Sequence, residues 1–161
     1  MEDAEENLEM VPLYEEALEL SKEIYGEHNL KTLEIYNNYG GHLRNLGLYE
    51  KAEYILRKAV VCSKNCSGEK SIRIMQLTLV NLANLLRMMK QWQESESLFY
   101  QALALYKITI GEEHFIYAGT MNNLGLLYYE MGNLERAKEC LEHSLHILEG
   151  KEEYIIPYAT T

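Results

Sequence analysis

The chain has 161 residues, 47% of them hydrophobic, two prolines and a net charge of −10, with a pI near 5.0. That acid excess disfavours nucleic acid and anionic membranes, both of which need clustered Lys and Arg; no apolar run is long enough for a bilayer, and the acidic start lacks a secretory signal. Three cysteines without a disulfide-rich pattern fit a reducing compartment, so the expected location is cytoplasmic.

In chain order, residues about 4–25 are expected to form one helix, and residues 1–21 of the chain hold eight acids and no Lys or Arg. Such a run reads as a solvated helix face. A Gly26-Glu27 joint follows, then a helix with Tyr36, Tyr39, Leu43 and Leu46 on one stripe, since steps of three and four share a face. It stops at Gly47-Leu48, where glycine can take the left-handed conformation that ends a helix. A second helix opens at Tyr49 and carries Ala52, Ile55, Leu56 and Ala59. The pattern repeats after Gly68-Glu69: Leu79, Leu82, Leu86 and Met89, a turn at Lys90-Gln91, then Trp92 with Ser95, Leu98, Phe99 and Ala102. Lys90 breaks the glycine rule, so that turn is expected to be more strained or differently capped. After Gly111-Glu112 come Met121, Leu124, Tyr128 and Met131, the turn Gly132-Asn133, and a helix from Leu134 with Ala137, Cys140, Leu141 and Ser144.

These segments are one unit repeated. Ala17, Ala59, Ala102 and Ser144 fall 42, 43 and 42 residues apart, and the Gly-Glu joints are 42 and 43 apart. A fixed period in this range means stacked supersecondary units that bury a core only against neighbours. The fold class expected is all-α, an α-solenoid of antiparallel helical hairpins in a single domain, 1–161: a half-repeat at 4–31, repeats at 32–74, 75–116 and 117–151, and the start of a further helix at 152–161. Tyr158-Ala159-Thr160-Thr161 resembles Tyr117-Ala118-Gly119-Thr120, so the chain reads as a window on a longer array. Its open ends make self-association conceivable.

Small residues at Gly40, Ala83 and Gly125, a large one three later at Leu43, Leu86 and Tyr128, and small ones at Ala52, Ser95 and Ala137 resemble the tetratricopeptide repeat. The 42-residue period, the Gly-Glu joint and the Asn-Asn-Leu-Gly in a first helix resemble the kinesin light chain subtype. The resemblance implies a right-handed superhelix whose concave groove, lined by the first helices, takes peptides. By repeat register that groove would hold Glu34, Asn37, Asn38, Gly41, Arg44 and Asn45; then Leu77, Val80, Asn81, Asn84, Arg87 and Met88; then Gly119, Asn122, Asn123, Leu126, Tyr129 and Glu130.

Two features mark that face. Asn38, Asn81 and Asn123 form a ladder in register, reinforced by Asn37, Asn84 and Asn122. Asn is a poor residue for a helix interior, yet a primary amide donates and accepts, so it suits the backbone of an extended peptide. Packing between neighbouring helices would use the same chemistry, and both roles are open. Arg44 and Arg87 are equivalent, with Tyr129 in the third slot, and a guanidinium forks onto a carboxylate with two bonds. An acidic side chain or a peptide C-terminus would suit the pair, though solvated arginines are common.

Other constellations are weaker. His143 with His146 and Cys62 with Cys66 have metal-compatible spacing but no further ligands nearby. Cys62 falls at a core position and Cys66 in a joint; His28 and His114 follow joints, where a polar side chain can cap a helix. No phosphate loop, metalloprotease motif or nucleophile elbow is present. The expectation is no enzyme, no cofactor and no metal. The leading reading is a protein-interaction module that binds a peptide or partner segment. A peptide-sensing array of a signalling or transcription protein and a self-assembling structural segment are the alternatives.

Overall fold

The computed structural model describes residues 2–66 and 68–152 of the chain. The described residues are helical throughout: α1 (Glu2–Tyr25), α2 (Leu30–Asn45), α3 (Tyr49–Lys64), α4 (Glu69–Met88), α5 (Trp92–Thr109), α6 (Phe115–Glu130) and α7 (Leu134–Glu152). The further helix expected at the C-terminal end, with Tyr154 and Tyr158, lies outside the described residues. The chain divides after Lys90 into two compact units, α1–α4 and α5–α7.

In the first unit α2 packs against α1, α3 and α4, and α3 also packs against α4. The stripe predicted on α2 is the reason: Tyr36 and Leu43 are completely buried, Tyr39 nearly so and Leu46 partly, and Leu33, which the stripe did not include, is completely buried beside them. Each such side chain stabilises the fold by about 1.5–3 kcal/mol when removed from water. The hairpin closes tightly because residue 40 is glycine. A Cβ there would lie 2.5 Å from both Cγ and Cδ2 of Leu56 on α3, so the absent methyl is the space that Leu56 fills. Ser21, Thr32 and the Gly26 carbonyl anchor the joint after α1: the two hydroxyls lie 2.8 Å apart, and Thr32 donates to Gly26 O at 2.9 Å.

In the second unit α6 packs against α5 and α7. Phe99, Ala102, Leu124 and Tyr128 make its interior. The small residue at Ser144 has a second use here, since its hydroxyl donates to the Ala118 carbonyl of α6 at 2.8 Å.

The turns share one geometry. Gly47 and Gly132 take φ of 76° and 78°, and Lys90 takes 61° in the equivalent place. The sequence break at Lys90 therefore leaves the turn unchanged, with the steric penalty of a left-handed residue absorbed locally, on the order of 1 kcal/mol. Capping at the joints is less uniform. His114 caps α6, its Nδ1 accepting from Ile116 N at 3.2 Å. At the first joint the cap is Asn29, which accepts from Lys31 N at 3.0 Å, and His28 does not serve. The shorter amide side chain of Asn29 is already at the position whose side chain reaches the second helical N–H.

Candidate functional site

The predicted groove residues of α2 and α4 all retain contact with solvent, and within the first unit they form a connected polar network. Asn81 is its centre. Its Nδ2 donates to Asn37 Oδ1 at 2.9 Å, and its Oδ1 accepts from Arg44 Nη1 at 3.3 Å. Arg44 also donates through Nε and Nη2 to Asn45 Oδ1, at 3.4 and 3.2 Å. The partner of Asn81 is thus Asn37 rather than its register mate Asn38. One residue is about 100° of helix rotation, which leaves Asn38 exposed while Asn37 turns toward α4. The interhelical use of the amide is real, and it engages one donor and one acceptor of Asn81. A primary amide has a second of each.

Arg44 is partly buried. Burial, and then the charge of Arg87 nearby, hold its pKa below the usual arginine value. Two like charges have been brought together on one face of a chain whose net charge is −10. Leu77 and Met88 are exposed on the same face of α4, at 47% and 43%. In the second unit, α6 carries Asn122, Asn123 and Tyr129, all at least partly exposed. The side chains of Asn38, Asn84, Asn122 and Asn123 make no hydrogen bond among the described residues.

Sequence reasoning missed a second polar system, built on tyrosines. Glu15 of α1 accepts from Lys51 of α3 at 2.6 Å and from the Tyr39 hydroxyl at 3.1 Å. Those bonds, the one from Lys51 first, hold its carboxyl below the ordinary 4.5. Tyr36 donates to Glu27 at 2.9 Å, and burial first, then that carboxylate, pushes its phenol well above 10. In the second unit Tyr128 donates to Glu96, and Arg136 reaches the same Glu96 oxygen at 3.3 Å. A tyrosine on a buried stripe was the available signal, because its hydroxyl needs a partner. A cleft of about 430 Å³ in the first unit is walled by Tyr36, Tyr39, Tyr54, Lys22, Lys51 and Lys58. Its lysines face Glu19, Glu15 and Glu27, at 2.7, 2.6 and 3.9 Å, so the charges there are matched internally.

No group of three metal-ligating side chains occurs among the described residues. His143 instead meets Tyr117 edge-on, at 6.1 Å between ring centroids. Cys62 is buried and Cys66 partly so, its thiol donating to the His28 carbonyl. No helix among the described residues is long and apolar enough to cross a membrane.

A run of antiparallel helical hairpins with small residues at the crossings and a polar face on the first helices defines an α-solenoid repeat protein. The chain belongs to the tetratricopeptide repeat family, whose model matches residues 2–61 and 74–150. Members of that family are generally protein-interaction modules. The fold is also that of BtubC from P. vanneervenii, with a TM-score of 0.80 at 20% identity over 91% of this chain and 58% of that one. The chain is 28% identical over 143 residues to the clustered mitochondria protein homolog of Candida albicans, covering 88% of this chain. It spans only 10% of that relative's length. TPR-like repeats of a Podosopora anserina kinesin light chain align over 91% of this chain and 89% of theirs, with a TM-score of 0.45 and 15% identity.

Proposed function

We propose that the face formed by α2 and α4 binds the carboxylate of an extended partner segment. The observation that supports this reading most is the placement of Arg44 and Arg87 on one face: burial first, and then the charge of Arg87, lower the Arg44 pKa. A bound carboxylate would relieve the repulsion between them and accept charge-assisted bonds from both guanidiniums. Asn81, already oriented by Asn37 and Arg44, would offer its remaining donor and acceptor to the backbone of the segment, and Asn84 would add another amide one turn on. Leu77 and Met88 would supply apolar contact beside them. Main-chain bonds plus a few anchors are how an extended peptide is held without a deep pocket.

The test is a pair of peptides that differ only at the C-terminus, free acid against amide, titrated by fluorescence anisotropy. A charge-assisted hydrogen bond is worth about 1.5–3 kcal/mol, so amidation should weaken binding by roughly ten- to a hundredfold. Arg87→Gln should remove the difference, and Asn81→Ala should weaken both peptides alike. Equal affinity for acid and amide on the folded wild-type protein would refute the carboxylate reading.

A further inference from the structure

Four glycines stand inside α2 and α6, and they fall into two kinds. Gly40 and Gly125 have a packing reason: a Cβ would meet Leu56 of α3 at 2.5 Å in the first case and Leu141 of α7 at 2.9 Å in the second. Gly41 and Gly119 have none, since a Cβ at either would find nothing within 4 Å. Neither takes a positive φ, so the conformational freedom of glycine goes unused, while its cost inside a helix, about 1 kcal/mol against alanine, remains. Both fall, by repeat register, on the groove face of a first helix.

The surroundings of Gly41 show what the missing side chain leaves open. Asn37 and Arg44 flank it by one turn on either side, on the same face of α2. Both reach across to a single amide, Asn81 of α4. Gly41 is thus a gap in a polar row whose two neighbours lean onto one residue. At 100° per residue it points within about 60° of each of them, toward α4. The flank of α4 that meets α2 is marked by Asn81, and its register mate in α2 is Asn38; Gly41 lies about 60° from Asn38 on the α4 side. A first helix packed before α2 in the same register would therefore leave the gap uncovered.

We propose that Gly41 seats the main chain of the extended segment whose carboxylate meets Arg44 and Arg87, and that its missing side chain sets how closely the segment approaches α2. The inference rests on the carboxylate reading and adds where the backbone of the segment lies. Neighbours at i and i+3 on a helix surface are about 5–6 Å apart, and an extended chain advances about 3.3 Å per residue. The peptide group over Gly41 accordingly belongs to one of the two residues that precede the carboxylate. Asn81 stands beside it with one donor and one acceptor to spare. The class of ligand narrows to an extended segment with a free peptide N–H at that place. A helix would be held off the floor of the gap by its own side chains, and its backbone groups are already paired.

The probe is a fluorescein-labelled octapeptide of alternating serine and valine, titrated against the whole chain by anisotropy. It is used as free acid, as C-terminal amide, and as free acid N-methylated at its last two peptide bonds. Gly41→Ala should weaken acid and amide alike by about tenfold, the loss of a hydrogen bond that a displaced backbone no longer makes. The acid-to-amide ratio should stay at its wild-type value, which separates a filled gap from a disturbed Arg44. Gly41→Leu, whose side chain lies back over the turn that holds Asn37, should weaken both by about a hundredfold. N-methylation should cost about tenfold on the wild-type chain. Folding is not at stake, because the new methyl meets no neighbour and alanine favours the helix; circular dichroism checks it. Affinity indifferent to the side chain at position 41, affinity that rises with its size, or indifference to N-methylation would overturn the inference and leave the carboxylate reading standing. Equal binding of acid and amide to the wild type, or no binding of the acid, would overturn that reading and this one with it.

Discussion

Gly40 offers the sharpest test of why the hairpin closes as it does, because Gly41 beside it is a built-in control. Both glycines sit in α2, so changing either to Ala gains helix propensity of about 1 kcal/mol. At Gly41 nothing lies within 4 Å of the new methyl, and the gain should appear in full as a stabilisation of about 0.5–1 kcal/mol. At Gly40 the methyl would stand 2.5 Å from two atoms of Leu56, which is itself fully buried. Overpacking of this kind costs about 1–3 kcal/mol. With two atoms in conflict the upper part of that range applies, so the net expectation is a loss of about 1–2 kcal/mol. Leu56→Ala alone should cost about 2–5 kcal/mol. In that background Gly40→Ala should become stabilising, giving a coupling of about 2–3 kcal/mol in the double-mutant cycle. Urea unfolding followed by circular dichroism reads all four proteins. The reasoning fails if Gly40→Ala matches Gly41→Ala, or if the cycle shows no coupling.

Lys90 holds a left-handed backbone that glycine adopts without strain, so Lys90→Gly should raise the unfolding free energy by about 0.5–1 kcal/mol after the entropy of glycine in the unfolded chain is deducted; a loss of stability in urea unfolding would contradict the turn geometry. Glu15 has a folded pKa below 4.5, so its contribution is complete above that value and disappears as pH falls through the lower, folded one. Glu15→Gln should accordingly flatten the acid limb of stability against pH, and a wild-type-like acid limb in that variant would show that the α1–α3 tie is inert. Burial pushes the thiols of Cys62 and Cys140 up, so a thiol reagent at pH 8 should label Cys66 rapidly and the other two only as fast as the protein opens.

The helices were legible in the sequence because a stripe such as Tyr36, Tyr39 and Leu43 is a one-dimensional pattern, and the joints because Gly26, Gly68 and Gly111 all take positive φ. Lys90 was the instructive exception. The period dictates a turn there whatever residue occupies it, so context overrides the local preference. What the sequence could not convey was rotation about a helix axis. That Asn37 rather than Asn38 meets Asn81 depends on how α2 crosses α4, which no spacing encodes. The tyrosine clips were hidden for another reason: Tyr39 and Glu15 are 24 residues apart, and Tyr128 and Glu96 are 32 apart. Each glutamate alone looks like an ordinary solvated acid. Asn81 sits between the two cases, since its place on the polar face was readable and its partners were not.

Salt should change binding at the proposed carboxylate site only modestly, and this follows from where its charges sit. The chain carries −10 overall, so at low ionic strength, where the Debye length exceeds the about 8 Å of physiological salt, it repels an approaching carboxylate peptide at long range. Salt screens that repulsion efficiently. It screens the final contact less, because Arg44 is partly buried. Affinity for the free-acid peptide should therefore change by less than about threefold between 50 and 300 mM salt. Fluorescence anisotropy titrations across that range measure this directly. A free-acid peptide whose binding weakens about tenfold or more over that range would show that Arg44 acts as an ordinary solvated charge.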